Sequence, residues 1–136
     1  MYKTAVISLT FMLLCAHPCV SQNRVEIPQD AIIGKWKLVR VVVPRRPSIT
    51  YSSVEVILEF KTNNTLTVQN LRQGNNNTPW NSGDYPYFFI GSDYGTKIQI
   101  GNTSWWYRIS EKGLMIGQGP VDGLNYFFEK YFCQFF

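Results

Sequence analysis

The sequence predicts an all-β domain built from antiparallel strands, and two observations indicate this fold class. Apolar residues recur at every second position in several short segments, which is typical of strands that bury one face. Asn, Gly and Pro separate these segments at short intervals, the spacing of an up-and-down barrel or a β-sandwich. No long segment repeats its apolar residues with the period of a helix.

The N-terminus is expected to be a signal peptide covering residues 1–21. Lys3 precedes the apolar run 5–16, which is shorter than the roughly 20 residues of a membrane-spanning helix. Small residues at Cys19 and Ser21 fit a cleavage site after Ser21. Neither Cys15 nor Cys19 follows a small residue, which disfavours a lipid anchor. We therefore expect export to the periplasm or the medium, without an integral membrane span.

After cleavage the chain divides into a leader, residues 22–32, and one domain, residues 33–136, since this length suits a single core. The leader is expected to contain a short helical turn over residues 29–32. The predicted strands cover residues 35–43, 54–60, 66–68, 85–90, 96–100, 104–110, 114–118 and 124–132.

The clearest predicted element is a hairpin that turns at residues 63–64. Residues 54–60 alternate apolar and polar side chains, and Leu66 and Val68 continue the apolar face on the next strand. Asn63 and Asn64 suit the tight turn between them, because Asn tolerates positive φ.

The composition argues against most catalytic chemistry. The single histidine, His17, lies in the expected signal peptide, so the mature chain has no imidazole for Ser-His-Asp, Cys-His or zinc sites. Cys133 is the one cysteine left after cleavage and is expected to be an inert thiol. The basic residues form no dense stripe of the kind that binds nucleic acid. We expect a non-enzyme without metal, cofactor or nucleic-acid partner.

Aromatic side chains are the best candidates for ligand contacts, because Tyr and Trp combine a flat apolar face with a polar tip. The candidate ligand-binding residues are Trp80, Tyr85, Tyr87, Trp105 and Tyr107. The favoured alternative is that Trp105, Tyr107 and Phe88 fill the interior, as side chains do in small barrels. Trp80 lies in a polar loop without a core position, and this makes it the strongest single candidate for a ligand contact.

Three segments resemble lipocalins and their calycin relatives. Residues 33–38 (IGKWKL) are similar to the Gly-x-Trp that opens the first lipocalin strand, here Gly34 and Trp36. Residues 58–68 and 105–131 resemble the small exported lipocalin-like domains of Bacteroidetes-type bacteria. The resemblance implies an eight-stranded antiparallel up-and-down barrel with one closed end.

The resemblance also implies roles for particular residues. In lipocalins the opening Trp packs across the closed end beneath a basic side chain from a late strand, so Gly34 and Trp36 are expected there. Arg108 is the nearest candidate for the basic partner. The implied function is to bind a small hydrophobic or aromatic ligand, partly apolar and of unknown identity. The alternative is a filled barrel that acts as a structural or protein-interaction module of the cell envelope.

Overall fold

The computed structural model describes residues 29–71, 78–92, 95–119 and 123–132. The expected signal peptide, most of the leader and Cys133 lie outside the described residues. Within them, no helix is long and apolar enough to cross a membrane.

The described chain begins with a short 3-10 helix and continues almost entirely as β-strands. The predicted turn over residues 29–32 is this helix, Gln29–Ile32. The strands are β1 (Gly34–Val42), β2 (Ile49–Thr50), β3 (Val56–Phe60), β4 (Thr65–Asn70), β5 (Gly83–Ser92), β6 (Gly95–Ile100), β7 (Thr103–Ser110), β8 (Gly113–Gly117) and β9 (Asn125–Lys130).

The strands form one closed antiparallel barrel with sequential, up-and-down order. From β3 to β9 each strand pairs with the next, while β1 pairs with β3 on one side and with β9 on the other. The short β2, which was not predicted, pairs with Arg40 and Val41 of β1 beyond the part of β1 that pairs with β3. The barrel therefore has eight strand positions in the described chain, and the predicted fold class is confirmed.

Local turn chemistry explains the hairpins. Asn64 adopts a φ of 60°, and the Asn63 side chain accepts a hydrogen bond of 3.2 Å from the Thr65 backbone N–H, so the predicted turn is confirmed. Gly113 opens β8 with a φ of 130°, and a Cβ there would collide with the Phe128 carbonyl oxygen of β9. Glycine thus permits the close approach of these two strands.

The core is the interior of the barrel, where alternate side chains of each strand meet. Most of these side chains are aliphatic or aromatic and almost completely buried, and within the described residues no polar or charged residue is fully buried. The least exposed large side chains are Ile32, Leu38, Leu58, Phe60, Leu66, Ile98, Leu114, Ile116 and Phe128. Burial of this much apolar surface is the main stabilising term of such a fold.

Trp36 closes the end of the barrel at which β1 begins, which we call the Trp36 end. Its side chain is only 4% exposed, and its indole N–H donates a 2.7 Å hydrogen bond to the Ile32 carbonyl oxygen of the 3-10 helix. This bond fixes the helix across the barrel end, because the polar tip of a buried Trp needs a partner.

The cation over Trp36 is Lys130 rather than Arg108. Lys130 Nζ lies 4.4 Å from the Trp36 ring centroid and donates a 2.7 Å hydrogen bond to the Ile33 carbonyl oxygen. Burial lowers the pKa of Lys130 below its ordinary 10.5. Arg108 is exposed, because it alternates with Trp105, Tyr107 and Ile109 on β7 and so faces outward. The expectation for Arg108 is corrected accordingly.

Gly34 leaves room for the Lys130 side chain at this end and adopts a backbone conformation that favours glycine. It has a φ of 119°, and a Cβ on it would approach Lys130 Nζ to 3.0 Å. A larger side chain would therefore strain the backbone and displace the cation.

We predict that Trp36→Ala lowers the free energy of unfolding by about 3–5 kcal/mol, as expected for loss of a buried Trp. Trp36→Phe keeps most of the packing and is expected to lose less. Trp106→Ala is the matched control, since Trp106 is only half-buried on the outer wall. Denaturant unfolding of the three variants tests this, and a Trp36→Ala protein as stable as wild type would contradict the role of Trp36.

Candidate functional site

The interior of the barrel is occupied by two aromatic clusters. The first, which we call the Tyr87 cluster, consists of Phe60, Tyr87, Phe89 and Tyr107, with ring centroids 5.1–6.1 Å apart in successive contacts. Tyr87 donates a 2.6 Å hydrogen bond to the Lys61 carbonyl oxygen in the β3–β4 turn. Edge-to-face and tilted contacts at these distances stabilise aromatic packing.

The second cluster, which we call the Trp80 cluster, lies toward the end of the barrel opposite the Trp36 end. Trp80 packs against Trp105 at 5.3 Å, Tyr126 at 5.2 Å and Phe128 at 6.2 Å between ring centroids. Trp80 is only 4% exposed. It therefore fills the barrel from the β4–β5 connection, and the expectation that it has no core position is wrong.

Hydrogen bonds from nearby residues of the same chain hold the Trp80 backbone. The Asn70 side-chain amide donates to the Trp80 carbonyl oxygen at 3.2 Å and to the Thr78 hydroxyl at 3.4 Å. The Ser82 hydroxyl accepts from the Asn70 backbone N–H at 2.9 Å. These hydrogen bonds attach the β4–β5 connection to the end of β4. They therefore fix the position of the Trp80 backbone, from which the indole extends into the barrel.

Four of the five candidate ligand residues are thus brought into the interior, but they are divided between the two clusters. Trp80 and Trp105 belong to one cluster, while Tyr87 and Tyr107 belong to the other. Tyr85 is half-buried against the core and donates a 2.8 Å hydrogen bond from its hydroxyl to the Asn81 carbonyl oxygen.

Phe88 does not fill the interior, contrary to the alternative expectation. It is 49% exposed on the outer wall, and Phe89 takes the inward position. The strand alternation explains this, because Tyr85, Tyr87 and Phe89 share one face of β5.

One interior polar atom is left without a partner. Among the described residues, the Trp105 indole nitrogen is the buried side-chain donor for which no hydrogen-bond acceptor is in place. Its surroundings are the rings of Trp80 and Tyr126. Burial raises the pKa of the Tyr126 hydroxyl above its ordinary 10.0, and the nearby Tyr51 raises it further.

A groove of about 650 Å³ runs over the outer wall of β7, β8, β9 and β1. Its floor follows one cross-strand row, in which Arg40 is opposite Phe127, Phe127 opposite Met115, and Met115 opposite Arg108. We call this feature the outer groove. The residues that line it are Val39, Arg40, Thr50, Arg108, Ser110, Lys112, Gly113, Leu114, Met115, Asn125, Phe127 and Phe128.

A β-bulge in β1 shapes one side of the outer groove. The register between β1 and β9 shifts between Leu38 and Arg40, so Val39 is the additional residue and both Val39 and Arg40 line the groove. The Arg40 guanidinium carbon lies 4.5 Å from the Phe127 ring centroid. This cation–π contact holds the charge beside the apolar floor.

The charge of the outer groove is positive. Arg40, Arg108 and Lys112 line it, and none of the described residues lining it is acidic. Two acidic residues lie near the groove without lining it: Glu111 precedes Lys112 in the β7–β8 turn, and the Glu129 carboxylate binds Lys37 at 2.7 Å. The groove thus combines an apolar floor with three cationic lining residues.

The sequence-based reasoning missed both Lys130 and the outer groove. Lys130 follows Tyr126 and Phe128 in the inward phase of β9, which is a signal that the sequence contains. The groove depends on the register between four strands, and single-strand periodicity does not supply that register.

Comparisons of the chain with protein-family models, with curated proteins and with solved structures give no match. The barrel agrees with a calycin-like fold at the level of architecture. The lipocalin resemblance remains a resemblance of motifs and strand order.

We predict that Trp80→Ala destabilises the protein by about 3–5 kcal/mol, because the indole fills the barrel. Trp80→Phe is expected to lose less, since an aromatic ring remains against Trp105 and Tyr126. Denaturant unfolding measures both effects. An unchanged midpoint for Trp80→Ala would show that Trp80 contributes nothing to the core.

We also predict that stability falls as the pH rises above 10. Burial raises the pKa of Tyr87 and Tyr126 above 10.0, so the unfolded chain loses these protons first and the free energy of unfolding decreases. In Tyr126→Phe the decrease between about pH 9 and about pH 11 is expected to be smaller. Lys130, whose pKa is lowered, acts in the opposite direction but equally in both proteins. Parallel pH profiles would contradict the burial of the Tyr126 hydroxyl.

Proposed function

We propose that this protein is an exported, non-enzymatic binding protein for a small, partly apolar ligand, and that the ligand occupies the outer groove. The observation that supports this most directly is the groove itself. Its volume of about 650 Å³ falls within the roughly 300–1,000 Å³ of small-molecule sites. Six of its twelve lining residues are polar or charged and the others are apolar or glycine, so it offers an apolar surface together with groups that can orient a ligand.

The interior supports this proposal indirectly. The aromatic residues expected to line an internal cavity pack against one another instead, and Trp80 occupies the end through which a lipocalin ligand enters. A ligand in the interior would therefore have to displace packed rings. A ligand in the outer groove meets Phe127 and Met115, which are half-buried and lie outside the core.

The rigid setting of the groove favours binding further. Its floor consists of paired strands rather than loops, so the backbone of the floor is held by the barrel before a ligand arrives. Binding to a preformed site avoids the entropic cost of ordering it.

The filled interior favours a second candidate, a structural or protein-interaction module of the cell envelope. In that case the outer wall is the contact surface, and the half-exposed Phe88 belongs to it. Small molecules would then bind weakly and without dependence on the groove.

The test is the binding of N-phenyl-naphthylamine, a neutral apolar probe that fluoresces when it leaves water. We predict that the mature protein binds it and that Met115→Trp, which fills the floor of the groove, abolishes most of the signal. Gln69→Trp is the matched control, because Gln69 is exposed on the outer wall of β4, away from the groove. Both variants are compared with wild type by thermal unfolding to verify the fold.

Two results would contradict the proposed site. Equal probe binding by Met115→Trp and wild type would exclude the groove. Loss of binding in a Trp80→Phe variant with an intact groove would return the site to the interior.

A further inference from the structure

We infer that the ligand of the outer groove is an amphipathic organic acid, a free molecule with one carboxylate on an apolar body, and that the carboxylate lies between Arg108 and Lys112. This inference rests on the proposed function and specifies the ligand class. It follows from how the cations are distributed around the apolar floor.

The row from Arg40 to Arg108 crosses four neighbouring strands. Three inter-strand spacings of about 4.8 Å each separate its ends, so the backbone positions lie about 14 Å apart along the wall. Phe127 and Met115 occupy the space between them. A linear apolar body therefore fits along the row, with a charge available at each end.

The two ends of the row differ. The Arg40 guanidinium already stacks on the Phe127 ring, with its carbon 4.5 Å from the ring centroid, and this orients it toward the floor. At the other end Arg108 and Ser110 both face outward on β7, and Lys112 follows in the β7–β8 turn. This end offers two cations and a hydroxyl, the groups that bind a carboxylate by charge-assisted hydrogen bonds.

The turn that carries Lys112 is ordered by the same residues. The Lys112 backbone N–H donates a 3.2 Å hydrogen bond to the Ser110 hydroxyl oxygen. Gly113 then passes so close to the Phe128 carbonyl that no side chain fits there. Ser110, Lys112 and Gly113 all line the groove at this end.

A neutral ligand would place no negative charge beside the cations of the groove. Arg40, Arg108 and Lys112 line the same wall, and neither nearby acidic residue lines it: Glu129 binds Lys37, and Glu111 precedes Lys112 in the β7–β8 turn. A carboxylate between Arg108 and Lys112 would accept charge-assisted hydrogen bonds, which are stronger than those of a neutral hydroxyl. The groove should therefore bind an acid more tightly than an alcohol of the same shape.

The experiment compares decanoate with decanol by isothermal titration calorimetry of the mature protein, below the micelle concentration. We expect decanoate to bind more tightly than decanol. The difference in affinity is expected to shrink when the salt concentration is raised from about 0.01 M to about 1 M, because the Debye length falls to about 3 Å. Arg108→Gln is expected to weaken decanoate binding roughly threefold to fivefold, as for a partly exposed charge pair, and to leave decanol binding unchanged.

Three variants serve as controls. Arg108→Lys keeps a charge and is expected to retain much of the preference for decanoate. Lys35→Gln removes the same charge from an exposed position of β1 outside the groove and is expected to have no effect. Arg40→Gln removes packing on Phe127 and is expected to weaken decanoate and decanol alike.

The outcomes separate this inference from the proposed function. If decanoate and decanol bind with equal affinity and Met115→Trp abolishes both, the inference that the ligand is an acid is contradicted, while the groove remains the binding site. Absence of N-phenyl-naphthylamine, decanol and decanoate binding would overturn the proposed function itself. Arg108-dependent binding to phosphatidylglycerol vesicles without binding of free decanoate would overturn the free acid in favour of a membrane surface.

Discussion

The pairing of β1 with β9 holds the rest of the barrel in place. These are the strands farthest apart in the sequence, and their hydrogen bonds turn an open sheet into a closed one. Closure removes the unpaired strand edges that otherwise invite aggregation. The same seam places Lys130 over Trp36 at one level and Arg40 over Phe127 at another. Both the closed end and the outer groove therefore depend on contacts that form only when the first strand meets the last.

The bulge at Val39 shows how one seam serves two purposes. Along most of β1 a strict alternation sends every second side chain inward. The additional residue keeps Leu38 and Val41 in the core while it places two neighbouring residues on the outer wall. Without the bulge, one of them would be directed into the core. The irregularity of the ladder is thus what allows two successive residues, Val39 and Arg40, to face outward between two core residues.

Much of the fold follows from local patterns in the sequence. The alternation in residues 54–60 and the Asn pair after it predict the β3–β4 hairpin, and the Gly-x-Trp pattern predicts the position of Trp36. Trp80 could not be predicted in the same way, because a single buried side chain from a connection has no periodicity. Its burial depends on the space that Trp105 and Tyr126 leave at that end of the barrel.

The site was less accessible to sequence reasoning than the fold. Strand alternation places Lys130 on the inward face of β9, and it places Phe89 rather than Phe88 on the inward face of β5. Both positions could therefore have been predicted from the sequence. The outer groove is different. Its floor joins Arg40, Phe127, Met115 and Arg108 from four strands, and each residue alone has the properties of an ordinary surface position. Only the cross-strand register brings them together.

The location of the groove on the outer face has a consequence for how such a protein can diverge. The residues that hold the barrel together point inward, whereas most of those that line the groove, including Arg40, Arg108, Met115 and Phe127, point outward. Substitutions at Met115 or Arg108 can therefore change the surface of the groove at little cost in stability, because surface substitutions usually alter the free energy of unfolding by less than about 0.5 kcal/mol. A family built on this plan would keep its aromatic interior and change its outer wall freely. The chemistry of the groove would then differ between proteins whose folds superimpose.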